Sequence, residues 1–200
     1  MIINPLEQDQ RNIYKLLIGS VVPRPIAFVS SLSVNGVPNL APFSFFNAVC
    51  SKPPIVQFTT SVRGDGSNKD THNNVKATGE FVVNIVSESI AVQMNAASED
   101  VPPEIDEFVI SGLTPVPSNI VKPPRVQESL INMECKLNQI VSFGDTPGAA
   151  KVIFGEVVLF HVADEIIDNF RIDPEKLLAI GRMGGHFYTR TRDRFEMIRP

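Results

Sequence analysis

Hydrophobic and polar residues alternate along several stretches of the chain, a pattern typical of half-buried β-strands. Residues 55–61 show this alternation, and the runs 25–33, 80–86, 130–143 and 151–163 are further strand candidates. The pattern therefore predicts a protein built mainly from β-strands.

Turn residues indicate how these strands connect. Asn35-Gly36 predicts a hairpin after the first run, with residues 37–49 returning as a further strand, and residues 144–148 predict a hairpin between the last two runs. Pro38 and Pro42 have no backbone N–H, so we expect the returning strand to lie at a sheet edge or to carry a bulge.

Helices are fewer and shorter. Residues 13–20 are compatible with either a short helix or an entering strand, and residues 71–78, 87–97 and 174–180 read as helices. For the helix at 71–78, Asp70 or Thr71 is the predicted N-cap and Gly79 the predicted end.

The acidic, proline-rich stretch 98–125 predicts a long surface excursion with one helical turn near residues 105–109. In total we expect six or seven strands and three or four helices. Because most connections are hairpins, they favour a single antiparallel barrel domain spanning residues 1–200.

Composition supports this class. The chain has 23 Val and 19 Ile against 11 Leu, and β-branched side chains suit a pleated surface better than a helix. A net charge of −4 argues against nucleic acid as the main partner, since phosphate contacts need a basic face.

The distribution of apolar residues and cysteines bears on location. No apolar run approaches the ~18 residues of a membrane span, and residues 1–10 lack a signal-peptide pattern. Cys50 and Cys135 form no CxxC pair, so we expect two inert, buried thiols and a cytoplasmic protein without a membrane partner.

Familiar catalytic motifs are missing from the sequence. There is no phosphate-binding P-loop, dinucleotide fingerprint or nucleophile elbow, and His72, His161 and His186 are too dispersed to predict a metal site. His161 lies within a predicted strand, where a structural role is expected.

The segment RGDGSNKDT, residues 63–71, is the most informative. It follows a predicted strand and opens a predicted helix, where glycines and free N–H groups favour an anion. Arg63, Lys69 and the Thr71 hydroxyl would complete a phosphate site. The alternative is an ordinary flexible loop with a helix cap.

Three further segments carry candidate binding residues. Arg24 between two prolines is either a phosphate ligand or a surface residue at a strand entrance. Residues 39–47, which include Ser44, suit a planar aromatic ligand or are core aromatics with polar flanks. The glycine-rich segment 181–188, ending near His186, is either a lid over a pocket or a C-terminal turn.

Taken in order, three of these segments resemble one family. The strings PRPIAFVSSLSVNGVPNLAPFSFFNAVCSKPPIVQF, NKDTHNNVKATGEFVVNIV and GRMGGHFY are similar to those of flavin reductase-like, FMN-binding split-barrel proteins, over about residues 20–190. The resemblance implies a six-stranded antiparallel Greek-key split barrel with flanking helices. It also implies a homodimer that binds FMN non-covalently near the subunit interface.

The resemblance assigns site residues individually. Around the phosphate it places Arg24, Lys69, Asp70 and Thr71, and the charge of Arg63 would further offset the phosphate. Along the isoalloxazine and the adjoining strand it places Ala41, Pro42, Phe43, Ser44, Thr59 and Thr60. Asn84 would support the flavin or its flanking strand, and His186 is the candidate catalytic residue on the nicotinamide side.

The implied function is an FMN-dependent oxidoreductase with NADH or NADPH as co-substrate, which passes reduced flavin or electrons to an acceptor such as a partner oxygenase. No metal is expected. Three alternatives stay open: a flavin carrier, sensor or electron-transfer module without efficient turnover, a split-barrel interaction domain without flavin, and an oxidase acting on pyridoxamine phosphate.

Overall fold

The computed structural model describes residues 1–199. Its α-helices are α1 (Gln10–Ser20), α2 (Asp70–Thr78), α3 (Ala91–Ala96), α4 (Glu107–Ser111) and α5 (Pro174–Leu177). Its strands are β1 (Ala27–Leu32), β2 (Pro38–Phe43), β3 (Phe46–Ser51), β4 (Pro54–Ser61), β5 (Glu80–Ile85), β6 (Pro115–Val116), β7 (Arg125–Val126), β8 (Ile131–Ser142), β9 (Ala150–Val162), β10 (Ile167–Asp168), β11 (Arg171–Ile172), β12 (Ile180–Arg182) and β13 (Tyr188–Arg190).

One large antiparallel sheet dominates the fold and confirms the predicted mainly-β barrel class. Its strand order is β2-β1-β5-β8-β9-β4-β3, so it has seven strands rather than the six expected from the resemblance. The pairs β6–β7, β10–β11 and β12–β13 are short separate hairpins or ladders.

The strands β2 and β3 are consecutive in the chain but lie at opposite edges of this sheet. The prediction of one continuous strand over residues 37–49 is therefore wrong. The chain leaves one edge at Ser44 and joins the other at Phe46, because the curled sheet brings its two edges together there. Pro38 and Pro42 lie in an edge strand, as predicted.

Two hydrophobic clusters fill the molecule. Inside the barrel, the Phe58 ring lies between Phe43, at 5.1 Å between centroids, and Phe81, at 5.4 Å. A second cluster lies outside the barrel, where Leu40 and Phe108 are buried together beneath α3 and α4. This second cluster attaches the 98–125 excursion to β2, the strand beside the candidate site.

The helices follow the predictions with shifted boundaries. Residues 10–20 are helical, which decides between the two options for that segment, and α2 ends at Gly79 with φ of 73° as predicted. The predicted N-cap is wrong: Lys69 holds that position and no side chain caps the helix. The Asp70 carboxylate instead pairs with Arg63, and the Thr71 hydroxyl is engaged elsewhere.

Three other predicted segments are also shorter or displaced. Residues 88–90 form a 3₁₀ turn before α3, and the turn expected near residues 105–109 is α4. The last predicted helix stops at Leu177 because Leu178 adopts a left-handed conformation, φ 48°, and Ile180 starts β12.

A buried carboxylate binds residues 119–121, in the second half of the 98–125 excursion. Glu134 on β8 is fully buried and accepts hydrogen bonds from the backbone N–H groups of Asn119, Ile120 and Val121, at 2.6 to 3.0 Å. His161 Nε2 lies 2.6 Å from the same carboxylate, so this histidine has the structural role predicted for it.

The two cysteines differ in their exposure to solvent. Cys135 is buried, and burial raises the pKa of its thiol. Cys50 is exposed, contrary to expectation, because β3 is an edge strand. Within residues 1–199 no helix is both long and apolar enough to cross a membrane.

Candidate functional site

Two adjoining cavities lie on either side of Pro42, near the point where β2 leaves the sheet edge. The first has a volume of about 90 Å³ and is bounded by β2, the start of α2 and residues 97–101. The second, of about 340 Å³, opens between α1, the end of β2 and the β12–β13 hairpin. Pro42 and Ser98 line both cavities, so together they form one groove.

The first cavity is formed by the start of α2. Because no side chain caps this helix, the N–H groups of its first turn have neither a helical acceptor nor a side-chain acceptor. These groups and the helix dipole favour an anion. Arg63, Lys69 and Thr71 line the same cavity and add two cations and a hydroxyl group.

The two cations are already paired with carboxylates. Arg63 Nη2 lies 2.6 Å from the Asp70 carboxylate and 3.4 Å from that of Asp100, and Lys69 Nζ lies 2.9 Å from Asp100. The hydrogen bond from Lys69 lowers the pKa of Asp100, so Asp100 is ionised at neutral pH.

A buried polar network forms another wall of the first cavity. Thr71 Oγ1 donates to Asn39 Oδ1 at 2.7 Å, and Asn39 Nδ2 donates to Glu107 at 2.8 Å. Glu107 also accepts from the Leu40 N–H at 3.0 Å. Burial raises the pKa of Glu107, while these donated hydrogen bonds oppose the rise.

Thr71 donates its hydroxyl proton to Asn39 in this network, so a ligand would have to compete with Asn39 for that proton. A carboxylate only accepts, so Glu107 fixes the Asn39 amide with its oxygen toward Thr71. Ser31 Oγ donates to the same oxygen at 3.2 Å. If the Thr71 hydroxyl turns its proton toward an anion, Asn39 Oδ1 therefore still accepts a hydrogen bond from Ser31.

Arg24 borders the second cavity and is nearly fully buried. Its guanidinium donates to the carbonyl oxygens of Ile18, Val21 and Met183 at 2.6 to 2.9 Å, with a longer contact of 3.5 Å from Nε to Ser44 Oγ. Most of its donors are thus used to hold α1 against the β12–β13 hairpin.

The β12–β13 hairpin forms the outer wall of the second cavity. Backbone hydrogen bonds of 2.8 and 2.9 Å join Arg182 to Arg24, and a Cβ at Gly181 would approach Pro23 to 3.0 Å. The Arg182 guanidinium lies over the Tyr188 ring at 4.5 Å from its centroid. His186, at the exposed hairpin tip, faces the same cavity.

Comparison with known proteins identifies the family. Residues 18–181 match the model of the "Flavin reductase like domain". The chain belongs to the flavin reductase-like family.

Solved structures and a sequence relative agree with this membership. Nitrilotriacetate monooxygenase component B from Bacillus cereus is 40% identical, with a TM-score of 0.94 and 98% of each chain covered. The 2-nitrobenzoate 2-nitroreductase NbaA of Pseudomonas fluorescens is 34% identical, with a TM-score of 0.91, covering 100% of this chain and 96% of that one. A relative from Aquifex aeolicus is 46% identical over 92% of each chain.

Membership of this family supports a flavin as the ligand of this chain and oxidation–reduction as the class of its reaction. The first cavity fits the phosphate end of such a ligand, since it combines uncapped helical N–H groups with the Arg63 and Lys69 cations. The strand residues between the cavities offer an extended surface for the remainder.

The structure brings most of the predicted flavin residues to this groove. Those lining the first cavity are Ala41, Pro42, Phe43, Arg63, Lys69, Asp70 and Thr71. Those lining the second are Arg24, Pro42, Ser44 and His186. Arg24 is thus grouped with Ser44 and not with Lys69 and Thr71, beside which the resemblance placed it.

Three predicted residues line neither cavity. Asn84 is buried in β5, where its amide donates to Phe28 O at 2.9 Å and accepts from the Val126 N–H at 3.0 Å, so it supports the sheet. Thr59 and Thr60 lie in β4, paired with β9, and the Thr60 hydroxyl is buried without a hydrogen-bond partner among the described residues.

Among the polar residues of the first cavity, sequence reasoning included Asn39 only as part of the segment 39–47 and did not assign the carboxylates of Asp100 and Glu107. The predicted acidic surface excursion over residues 98–125 contains both carboxylates but did not single them out. Their partners lie between 31 and 68 positions away along the chain, so no local signal identifies them. Tyr188 could have been predicted from the sequence, because it belongs to the glycine-rich segment 181–188.

Proposed function

We propose that this flavin reductase-like protein is an FMN-dependent oxidoreductase that takes electrons from NADH or NADPH and passes reduced flavin or electrons to an acceptor. The observation that carries the proposal is the pair of adjoining cavities beside Pro42, one small and suited to an anion, the other larger and open. A phosphate-bearing flavin requires both kinds of space.

In this proposal the first cavity holds the phosphate. Lys69, Arg63, the Thr71 hydroxyl and the free N–H groups of α2 would bind it. Residues 41–43 of β2 and the adjoining Ser44 would lie along the ring. When bound, FMN supplies the hydride chemistry, so the protein has only to bind and orient its ligands.

The size of the first cavity favours FMN over FAD as the resident flavin. About 90 Å³ suits one small anionic group and is well below the ~300 Å³ at which pockets for larger ligands begin. Residues 97–101 form one wall of this cavity.

The second cavity is where we place the nicotinamide. Its volume of about 340 Å³ and its opening to solvent give a second ligand access to the groove. The hairpin residues Arg182, His186 and Tyr188 border it. We assign His186 as the residue that positions the nicotinamide for hydride transfer.

Relatives support the choice of acceptor. The Bacillus cereus protein is named as a component of a monooxygenase, which favours a partner oxygenase as the consumer of reduced flavin. The Pseudomonas fluorescens protein is named a nitroreductase and is similar over the whole chain. A nitroaromatic compound bound in the second cavity is therefore the second candidate acceptor.

We also propose that the protein is a homodimer. Helix α1 has no buried residue and exposes Tyr14, Leu16 and Leu17, an apolar surface too large for an isolated helix. Tyr14 also lines the second cavity, so a second copy packed on α1 would complete its mouth. Sedimentation velocity tests this; a monomer at micromolar concentration would contradict it.

The test of the proposed activity is an anaerobic visible spectrum of the protein with FMN, before and after addition of NADH or NADPH. We expect a bound-flavin spectrum that bleaches with one nucleotide, followed by reoxidation when an acceptor is added. A bound flavin that stays oxidised with both nucleotides would instead indicate a carrier or sensor. A protein that takes up no FMN would leave only the interaction-domain alternative.

A further inference from the structure

In the first cavity, the carboxylate of Asp100 pairs with the cations that would bind an anionic ligand. Asp100 Oδ1 lies 2.9 Å from Lys69 Nζ and 3.4 Å from Arg63 Nη2, and Asp100 lines the cavity itself. These are the same two cations that the proposed function assigns to the flavin phosphate.

We infer that Asp100 is an internal competitor of the flavin phosphate, which must release Lys69 and Arg63 before the phosphate can bind them. The inference rests on the proposed function only in taking the ligand to be FMN. It assigns Asp100 as the residue that sets how tightly the cofactor is held.

Charge balance in the cavity requires this competition. Lys69 and Arg63 face the carboxylates of Asp70 and Asp100. A phosphate monoester carries a charge of about −1.5 to −2 at neutral pH, and like charges a few ångströms apart repel each other. Asp70 lies at the start of α2, where its own helix and Arg63 hold it, so Asp100 is the carboxylate that has to leave.

Asp100 is also the one that leaves most easily. Its side chain is 65% exposed, against 19% for Asp70, so water solvates the released carboxylate at once. It lies in the connection between α3 and α4, beyond the last turn hydrogen bond of Glu99 N–H to Ala96 O.

The consequence is a cofactor site that exchanges its ligand. Breaking two ion pairs subtracts from the affinity for FMN, and re-forming them as the phosphate departs favours dissociation. A protein that delivers reduced flavin to a separate partner needs this property, whereas an enzyme with a permanent prosthetic group does not.

The test compares Asp100→Asn with Glu104→Gln, a matched loss of one negative charge. Glu104 is exposed in the same connection and has no ion pair among the described residues. FMN and riboflavin are titrated into each variant and the wild type by flavin fluorescence, and FMN release is followed by stopped-flow dilution.

We expect Asp100→Asn to lower the FMN Kd by about three- to tenfold, the worth of two surface ion pairs, and to slow FMN release by a similar factor. Riboflavin has no phosphate, so its Kd should not change. Glu104→Gln should change the FMN Kd by less than about twofold, because a distant exposed charge is largely screened.

An FMN Kd that is unchanged in Asp100→Asn, or that shifts equally in Glu104→Gln, overturns the inference, and so does an equal gain for riboflavin. The affinity comparison is independent of turnover. If FMN binds but NADH and NADPH do not reduce it, the proposed function fails while the inference is still decided. If neither wild type nor Asp100→Asn binds FMN, both fail.

Discussion

Replacing Glu134 by Gln is the perturbation whose cost follows most directly from the structure. Each carboxylate oxygen accepts two hydrogen bonds: Oε1 from Asn119 N–H and His161, and Oε2 from the N–H groups of Ile120 and Val121. In glutamine an amino group replaces one oxygen and leaves one or two of these donors without an acceptor. Each such donor costs about 1–3 kcal/mol.

The pKa of Glu134 expresses the effect of the same hydrogen bonds as a dependence on pH. Burial opposes ionisation, but the hydrogen bonds from Asn119, His161, Ile120 and Val121 outweigh it and lower the pKa from its ordinary 4.5 to about 2. The depressed pKa stabilises the folded state above pH 4.5, and this contribution is lost as the pH falls toward 2. Over the full shift it amounts to about 3 kcal/mol.

The assay is urea unfolding followed by far-ultraviolet circular dichroism, since the chain has no tryptophan. At pH 7 we expect Glu134→Gln to lower the free energy of unfolding by about 3 kcal/mol. By pH 3 the wild type has itself lost about 2 kcal/mol of this contribution, so the gap should shrink to about 1 kcal/mol. Glu104→Gln serves as the exposed control.

Two results would refute this reasoning. A loss at pH 7 below about 1 kcal/mol would mean that the carboxylate does not hold residues 119–121 in solution. A gap that stays constant from pH 7 to pH 3 would mean that its pKa is not depressed, whatever the size of the loss.

The remaining predictions concern the flavin site and the barrel core. Joint replacement of Lys69 and Thr71 by Ala should raise the FMN Kd roughly tenfold to a hundredfold, the worth of a charge-assisted hydrogen bond, and leave riboflavin binding unchanged in the same fluorescence titration; an unchanged FMN Kd rejects the phosphate assignment. His186→Ala should slow anaerobic flavin reduction more than it weakens FMN binding, and the reverse result would make the hairpin a wall of the flavin pocket. Gly155→Ala should destabilise the protein by about 1–3 kcal/mol in chemical unfolding, since its Cβ would lie 2.2 Å from the buried Phe81 ring; Phe81→Leu should restore part of the loss, and an additive double variant would contradict the clash.

Local patterns in the sequence determined much of the architecture. Alternation of apolar and polar residues placed the long strands, and Asn35-Gly36 and residues 144–148 placed two hairpins that the structure contains. Such signals are reliable because strand periodicity and turn conformation depend on neighbouring residues. The Lys69-Asp70-Thr71 segment was recognisable as a candidate phosphate site, but only the resemblance favoured that interpretation over an ordinary loop with a helix cap.

Tertiary structure decided what depends on partners far along the chain. The break at Ser44 follows from the closure of the barrel, in which β2 and β3 must reach opposite sheet edges. Asp70 does not cap its helix, because Lys69 holds the N-cap position and the Asp70 carboxylate pairs with Arg63. These outcomes are competitions between alternative partners, and the fold determines which partner is within reach.

For the carboxylates of Asp100 and Glu107, too, the sequence determined only the segment, and the tertiary structure determined the partners. Sequence alone marked residues 98–125 as a long acidic excursion, but Glu107 reaches Asn39 and Asp100 reaches Lys69 only because Phe108 is buried in the cluster beside β2. Hydrophobic burial is non-directional, so the identity of an apolar residue does not say which surface will cover it. The sequence thus determined the strands and pointed to the candidate phosphate segment, and the packed fold determined which charges face that segment.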